Sequence, residues 1–424
     1  MKEYVKMEIK RDFYLQKLIN SKNNKLIKIV TGIRRCGKSY LLFKLFKEYL
    51  LSAGVSEDHI ITIQLETRQN KEYRNPDICD DYVRSLIKDK KMYYVLIDEI
   101  QLMEDFESVL NGFLLIDNLD VYVTGSNSKF LSTDIVTEFR GRGDEIRVYP
   151  LSFTELCSIH KNYSDDLFNE YFNYGGLPLV VLQDNVQKKK EYLTYQTNNI
   201  YINDVIERNN IQNKEILATL VEVISSGIGS LSNPTKIANT FNTELKVSVT
   251  DKTISSYLHY LEDAFLIQKA KRYDVKGRKY IGTPFKYYFT DIGIRNSLLN
   301  FRQVEKDHIM ENIIYNELKV RGYSVDVGII EERVKENETE KRTRKYFEID
   351  FICNKESERY YIQSAYNIPD SEKLKQESKS LLTVKDAFKK IIIVKDNTDL
   401  WRNKDGVLIM GLKEFLLNPK SLYL

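Results

Sequence analysis

The octapeptide Gly32-Ile33-Arg34-Arg35-Cys36-Gly37-Lys38-Ser39 constrains this chain more than any other segment. It matches G-x-x-x-x-G-K-[ST], in which a glycine at each end lets the backbone wrap and turn successive N–H groups toward phosphate oxygens. In that arrangement Lys38 neutralises the outer phosphates of a nucleotide and the Ser39 hydroxyl ligates Mg²⁺. The flanks agree with this reading. Leu26 to Thr31 is an apolar run that reads as a buried strand, and SYLLFKLFKEYL carries Leu41, Leu42, Phe43, Leu45, Phe46 and Leu50 at helical spacing. Strand, loop and helix together aim a helix N-terminus at the phosphates. The residues expected around the nucleotide are Gly32, Arg34, Arg35, Cys36, Gly37, Lys38, Ser39 and Tyr40.

A second apolar run, Tyr93-Tyr94-Val95-Leu96-Ile97, ends in Asp98-Glu99. A strand closing on two carboxylates downstream of such a loop predicts that Asp98 holds Mg²⁺ through water. Glu99 then orients or deprotonates the attacking water. A third strand, Val121-Tyr122-Val123-Thr124, runs into Gly125-Ser126-Asn127-Ser128. This order of segments is similar to AAA-like ATPases, in which a polar residue here senses the nucleotide. Ser126 and Asn127 are the candidates, and a plain Gly/Ser/Asn turn is the alternative. Next come Phe139-Arg140-Gly141-Arg142-Gly143. Arg140 or Arg142 can act as a finger on a neighbouring subunit's γ-phosphate, or they are basic residues on a solvated turn.

Composition bounds the rest. A chain of 424 residues is too long for one core, so roughly two to four domains are expected. Apolar content of 42% with 29% charged residues describes a globular chain, and a formal charge of +3 does not by itself call for a polyanion. Cys36, Cys79, Cys157 and Cys353 are scattered, which excludes a disulfide framework and zinc sites built from CxxC units. The charged N-terminal stretch lacks the apolar core of a signal peptide, and no segment has the ~20 apolar residues of a membrane span. A cytoplasmic protein with no membrane partner is expected.

With GIRRCGKS, LIDEIQ, VTGSNS, the RGRG turn and YPLSFTEL in that order, the chain resembles prokaryotic AAA-type ATPases related to the signal-transduction (STAND) NTPases. The resemblance implies an α/β fold, with a P-loop parallel-sheet core over 1–150 and a helical lid over 151–228. A winged helix-turn-helix over 229–300 and a restriction-endonuclease-like domain over 301–424 would follow. It also implies that Pro178, in Tyr174-Gly175-Gly176-Leu177-Pro178, sits over bound nucleotide as the proline of STAND lids does.

Within 235–290, Thr235–Asn239 starts a short helix. The run Val249–Leu258 resembles a recognition helix with Ile254, Leu258 and Leu261 on its apolar side, and two strand-like runs flank a basic tip, Lys276-Gly277-Arg278-Lys279. Basic wing residues can pair with phosphates, yet Lys252 is the one positive charge on the helix, so DNA and protein partners weigh equally. Farther on, Glu311, Asp350 and Gln363 match the acidic and amide positions of the nuclease-like layout, but Ala365 stands where its lysine belongs. Alanine neither takes a proton nor balances charge, so an inactive binding domain is expected there. The leading expectation is ATP and Mg²⁺ binding and hydrolysis coupled to a macromolecular partner such as DNA, in a homo-oligomer if Arg140 or Arg142 acts in trans. The alternatives are a STAND-type nucleotide-gated switch acting on protein and a metal-dependent DNA nuclease.

Overall fold

The computed structural model describes residues 9–126, 141–160, 163–302, 305–335, 342–396 and 398–424. They form two compact units. The first comprises Met1–Leu151 with Leu177–Leu179 and Asp263–Phe265, and the second comprises Ser152–Gly176, Val180–Glu262 and Leu266–Leu424.

The first unit is built on a five-stranded sheet of β1 (Ile27–Thr31), β2 (Ile60–Gln64), β3 (Tyr93–Asp98), β4 (Leu119–Gly125) and β5 (Gly143–Arg147). Its order is β2-β3-β4-β1-β5, and every neighbouring pair is parallel. Parallel sheets are covered on both faces, so their strands read as unbroken apolar runs. Here β1, β3 and β4 are buried at every position. The helix after the loop starts at Lys38–Tyr40, passes through a π-helical turn at Leu41–Phe46 and continues as Lys47–Ser52, burying Leu41, Leu42, Phe46 and Leu50. On another flank, Asn75 caps the helix Pro76–Leu86 by accepting from the Asp77 and Ile78 N–H groups. Because β4 is inserted between β1 and β3, its C-terminal end, with Thr124 and then Ser126, lies between the phosphate loop and the Asp98-Glu99 pair. That position decides the chemistry of the site.

The second unit contains an eight-stranded mixed sheet in the order β12-β13-β11-β10-β9-β8-β6-β7. Its strands are β6 (Ile267–Asp274), β7 (Lys279–Phe289), β8 (Ser324–Lys335), β9 (Arg342–Lys355), β10 (Glu358–Ala365), β11 (Lys389–Val394), β12 (Trp401–Arg402) and β13 (Leu408–Gly411). The helices Pro234–Thr243 and Asp251–Asp263 precede β6 and β7, and Phe241, Ile254, Leu258 and Leu261 are buried. Two helices are thus followed by a hairpin. The hairpin does not stand alone, however. β6 pairs in parallel with β8 through Arg272↔Val327 and Asp274↔Ile329, so the sheet runs without interruption across residue 300. Nothing in side-chain periodicity encodes that pairing.

Among the described residues, no helix is long and apolar enough to cross a membrane.

Candidate functional site

Gly32 leaves β1 with φ +143, and a β-carbon there would stand 2.1 Å from the Val148 carbonyl oxygen. Only glycine fits where the loop passes this backbone. Gly37, at φ +100, is the left-handed residue that opens the helix. Cys36 is fully buried and its thiol lies 3.5 Å from the Val148 oxygen, so its side chain anchors the loop. A residue that the sequence patterns do not flag completes the brace. Arg11 donates from Nη1 to the Cys36 carbonyl (3.2 Å) and from Nη2 to the Tyr149 carbonyl (2.6 Å), while its guanidinium lies 4.6 Å from the Tyr14 ring centroid. Pro178 is close by: a β-carbon on Gly37 would lie 3.8 Å from Pro178 Cγ.

Lys38 is buried, and its Nζ donates to the Gly32 carbonyl (3.0 Å) and the Ile33 carbonyl (3.2 Å), so the ammonium is held across the mouth of the loop. Ser39 donates from Oγ to Asp98 Oδ1 at 3.1 Å, and the same carboxylate oxygen accepts from Thr124 Oγ1. The Thr124 hydroxyl in turn accepts the Glu99 N–H at 3.0 Å. Glu99 has φ +49, a left-handed conformation that costs a non-glycine residue roughly 1 kcal/mol and tends to mark functional positions. Its Oε2 accepts from Ser126 Oγ at 3.1 Å and from Gln101 Nε2. A continuous line of groups thus runs from loop to carboxylates: Ser39, Asp98, Thr124, Glu99, Ser126.

The electrostatics favour a cation here. Burial pushes the Asp98 carboxyl above its usual range; the Thr124 and Ser39 hydrogen bonds oppose that shift and the Glu99 charge adds to it. Glu66, just beyond β2, is raised by burial and by the charges of Glu99 and Asp98, with Arg34 and Lys38 opposing. Three carboxylates crowd one edge, and a bound dication relieves such crowding. The oxygens of Ser39 and Asp98 are the hard donors that Mg²⁺ takes, substrate phosphates and water supplying the remaining positions. The residues present therefore fit a magnesium–nucleotide ligand.

The other expected residues fall as follows. Arg34 is half-buried and close enough to Glu66 to act on its charge. Arg35 is exposed at φ +62 and Tyr40 is 37% exposed on the first helical turn. Asn127 and Arg140 lie outside the described residues. Arg142 sits at the start of β5, where its carbonyl accepts the Ile27 N–H (2.8 Å) and its Nη1 donates to Asn111 Oδ1 (3.2 Å). Since β5 is parallel to β1, this is the sheet edge opposite the loop, and Arg142 cannot reach its own chain's phosphate site. The arginine of β5 at the loop edge is Arg147, in register with Thr31 and packed on the Phe265 and Tyr149 rings at 4.7 and 5.1 Å.

A second polar cluster lies inside the second unit. Lys286 on β7 is almost fully buried, with its Nζ 2.9 Å from Glu311 Oε1, 2.8 Å from Glu348 Oε1 and 3.5 Å from Asp350 Oδ1. Tyr288 donates to Glu311 Oε1 at 2.5 Å. Burial opposes the Lys286 charge, but the three carboxylates outweigh it and hold the ammonium well above its ordinary value. Burial and the neighbouring Glu311 push Asp350 up to about 7, with Lys286 opposing. Gln363 accepts the Asp350 N–H at 3.4 Å and lies 3.5 Å from the Ser380 hydroxyl. Ala365 is buried in the apolar cluster with Tyr361 and Leu381. Lys286, from a strand far from position 365 in sequence, stands among these carboxylates as a built-in cation.

Close by in the second unit, Asp291 accepts the Gly176 N–H at 2.7 Å. A β-carbon on Gly175 would lie 2.2 Å from the Asp291 carboxylate, which fixes the glycine pair just before Leu177 and Pro178 in the chain.

Residues 24–157 match the model of a family described as an AAA domain, and residues 165–305 match a domain of unknown function (DUF8612). An uncharacterized protein of Haemophilus influenzae is 35% identical, the match covering 97% of this chain and 99% of that protein. An uncharacterized protein of Methanocaldococcus jannaschii is 28% identical over 86% of this chain and 79% of its own length. Among solved structures, the Walker-type ATPase PABY2304 of Pyrococcus abyssi aligns with a TM-score of 0.49 at 14% identity, covering 69% of this chain and 96% of that one. The chain therefore belongs to the same family as the H. influenzae protein, and its residues 24–157 match an AAA domain.

Proposed function

We propose that this protein binds and hydrolyses ATP with Mg²⁺ and couples the nucleotide state to a macromolecular partner, DNA. The observation that carries the reading is the unbroken hydrogen-bonded line from Ser39 through Asp98 and Thr124 to Glu99. Magnesium, when bound, would neutralise charge developing on the transferred phosphoryl group. The protein's own groups do the rest. The loop amides and Lys38 hold the phosphates; Asp98 and Ser39 supply the metal's protein ligands; Ser126 and Gln101 orient Glu99, which positions the attacking water. Pro178 lies against Gly37, which supports a role in registering whether the loop is filled.

Glu99→Gln tests the assignment. The amide keeps the shape of the side chain but cannot accept a proton, so the variant retains ATP at near wild-type affinity. Its turnover falls by about 100-fold or more, measured as phosphate release. Unchanged turnover removes Glu99 from this role. Turnover raised by duplex DNA supports the partner assignment, whereas slow, duplex-indifferent turnover with assembly only in ATP points to a STAND-type switch on protein. The cluster around Lys286 does not favour a nuclease, because an ammonium already fills the space among Glu311, Glu348 and Asp350.

A further inference from the structure

The basic tip of the β6–β7 hairpin is one wall of a groove that the rest of the second unit completes. The tip is held in place: Gly277 donates its N–H to Asp274 Oδ1 at 2.9 Å, Val275 donates to the Ile329 carbonyl at 3.0 Å, and Lys276 Nζ reaches the Glu331 carbonyl at 3.4 Å. Facing it is the helix Ser371–Leu382, capped by Asp370, which accepts the Lys373 N–H at 2.8 Å. The i, i+4 spacing of Lys375 and Lys379 brings both to one face of that helix. Lys385 follows the helix, and Lys404 comes from the turn in which Asn403 Oδ1 accepts the Asp405 and Val407 N–H groups at 3.0 and 2.9 Å. Together these elements enclose a groove of about 700 Å³.

Five lysines line it (276, 375, 379, 385 and 404) against two carboxylates, Glu332 and Asp405. The excess of three positive charges equals the formal net charge of the entire chain, +3. All five lysines are exposed. Among the described residues, Lys375, Lys379, Lys385 and Lys404 have no carboxylate within ion-pair distance, although nearby lysines do; Lys373, for example, pairs with Glu377 at 2.7 Å. The remaining lining is aliphatic, hydroxylic or amide, including Leu374, Leu382, Ser378 and Asn403, and the one ring beside it, Phe347, lies under the Lys379 ammonium at 5.3 Å, where it is not free to stack on a base. Unstacked bases of a single strand need aromatic platforms. A duplex presents regularly spaced phosphates that lysines can neutralise without reading bases.

We propose that this groove binds the phosphate backbone of duplex DNA, independently of sequence, through Lys276, Lys375, Lys379, Lys385 and Lys404. The assignment rests on the DNA reading given under the proposed function and joins Lys276, from the 235–290 segment, to a surface that closes only in the folded second unit.

The test uses the full chain and a fluorescent 30-base-pair duplex of arbitrary sequence, read by anisotropy without nucleotide at several salt concentrations. Lys375→Glu/Lys379→Glu should weaken binding at least ~10-fold. It should also reduce the slope of log K against log salt by about 2, as expected for two lost phosphate contacts. Lys375→Gln/Lys379→Gln should give a smaller loss with the same change in slope, should charge reversal impair folding. Affinity and slope unchanged in both variants overturn the proposal. Wild type that binds polyglutamate but no duplex, with binding lost in the variants, overturns it in favour of an acidic protein partner. Basal ATP turnover stays at the wild-type level in both variants. A protein that hydrolyses no ATP yet shows the expected duplex losses fails the ATPase reading and leaves the groove assignment standing.

Discussion

Lys38→Ala abolishes retention of ATP, with affinity falling about 100-fold or more in a titration with a fluorescent ATP analogue and magnesium. The size of the effect follows from where the ammonium sits. Lys38 is 4% exposed and is held by the Gly32 and Ile33 carbonyls, so its charge acts from a desolvated position aimed at the mouth of the loop. A charge-assisted hydrogen bond contributes about 1.5–3 kcal/mol, and more than one phosphate oxygen falls within reach of such an amine. Alanine leaves the negative charge of the phosphates facing Glu66, Asp98 and Glu99 with no nearby ammonium to balance it. A variant with wild-type ATP affinity would sink the whole nucleotide assignment.

Lys286→Met is the second large effect, and it acts on stability. Removing one partner from a buried ion pair typically costs about 3–5 kcal/mol, because the remaining charge is left without compensation. Here three carboxylates share one ammonium. For a unit of this size, that corresponds to a fall in melting temperature of roughly 10 °C, measured by thermal unfolding. The defect has a pH signature. Asp350 is already pushed up to about 7, above its unfolded value, so it favours the folded state when protonated, and this contribution is lost as pH rises through about 7. Without Lys286, Asp350 and Glu311 lose the ammonium that opposes their protonation, so the variant is least impaired under mildly acidic conditions and most impaired above neutrality. Glu311→Gln and Asp350→Asn added to Lys286→Met should restore much of the loss, and failure to do so would mean that Lys286 acts by packing alone.

What could be read from the chain was whatever its chemistry kept local. Gly32, Gly37, Lys38 and Ser39 sit in one loop, and Asp98 and Glu99 close one strand, so spacing alone brings their roles together. Thr124 was visible as a strand residue, but its place between Ser39 and Glu99 depends on β4 being inserted beside β1, and strand order is not written in any periodicity. Glu66 and Arg11 join the site for the same reason, each from an element that carries no motif. Lys28 reads as an ordinary member of a buried strand, yet it is fully buried and paired with Asp120, a match that only the β1–β4 pairing creates. At the other end of the chain, Ala365 suggested a missing amine. A search confined to the next residues of the same strand could not find Lys286, because that lysine arrives from β7.

The continuity of β6 and β7 with the larger sheet has a practical outcome for anyone dissecting the molecule. Cutting after Asn300 would deprive β6 of β8, strip Lys286 of Glu311, Glu348 and Asp350, and remove Asn312, whose side chain bonds both the N–H and the carbonyl of Phe289. The severed piece would present a raw strand margin beside an orphaned buried ammonium, a combination prone to clumping. The helix pair and the C-terminal sheet should therefore be produced, and should move, as one block.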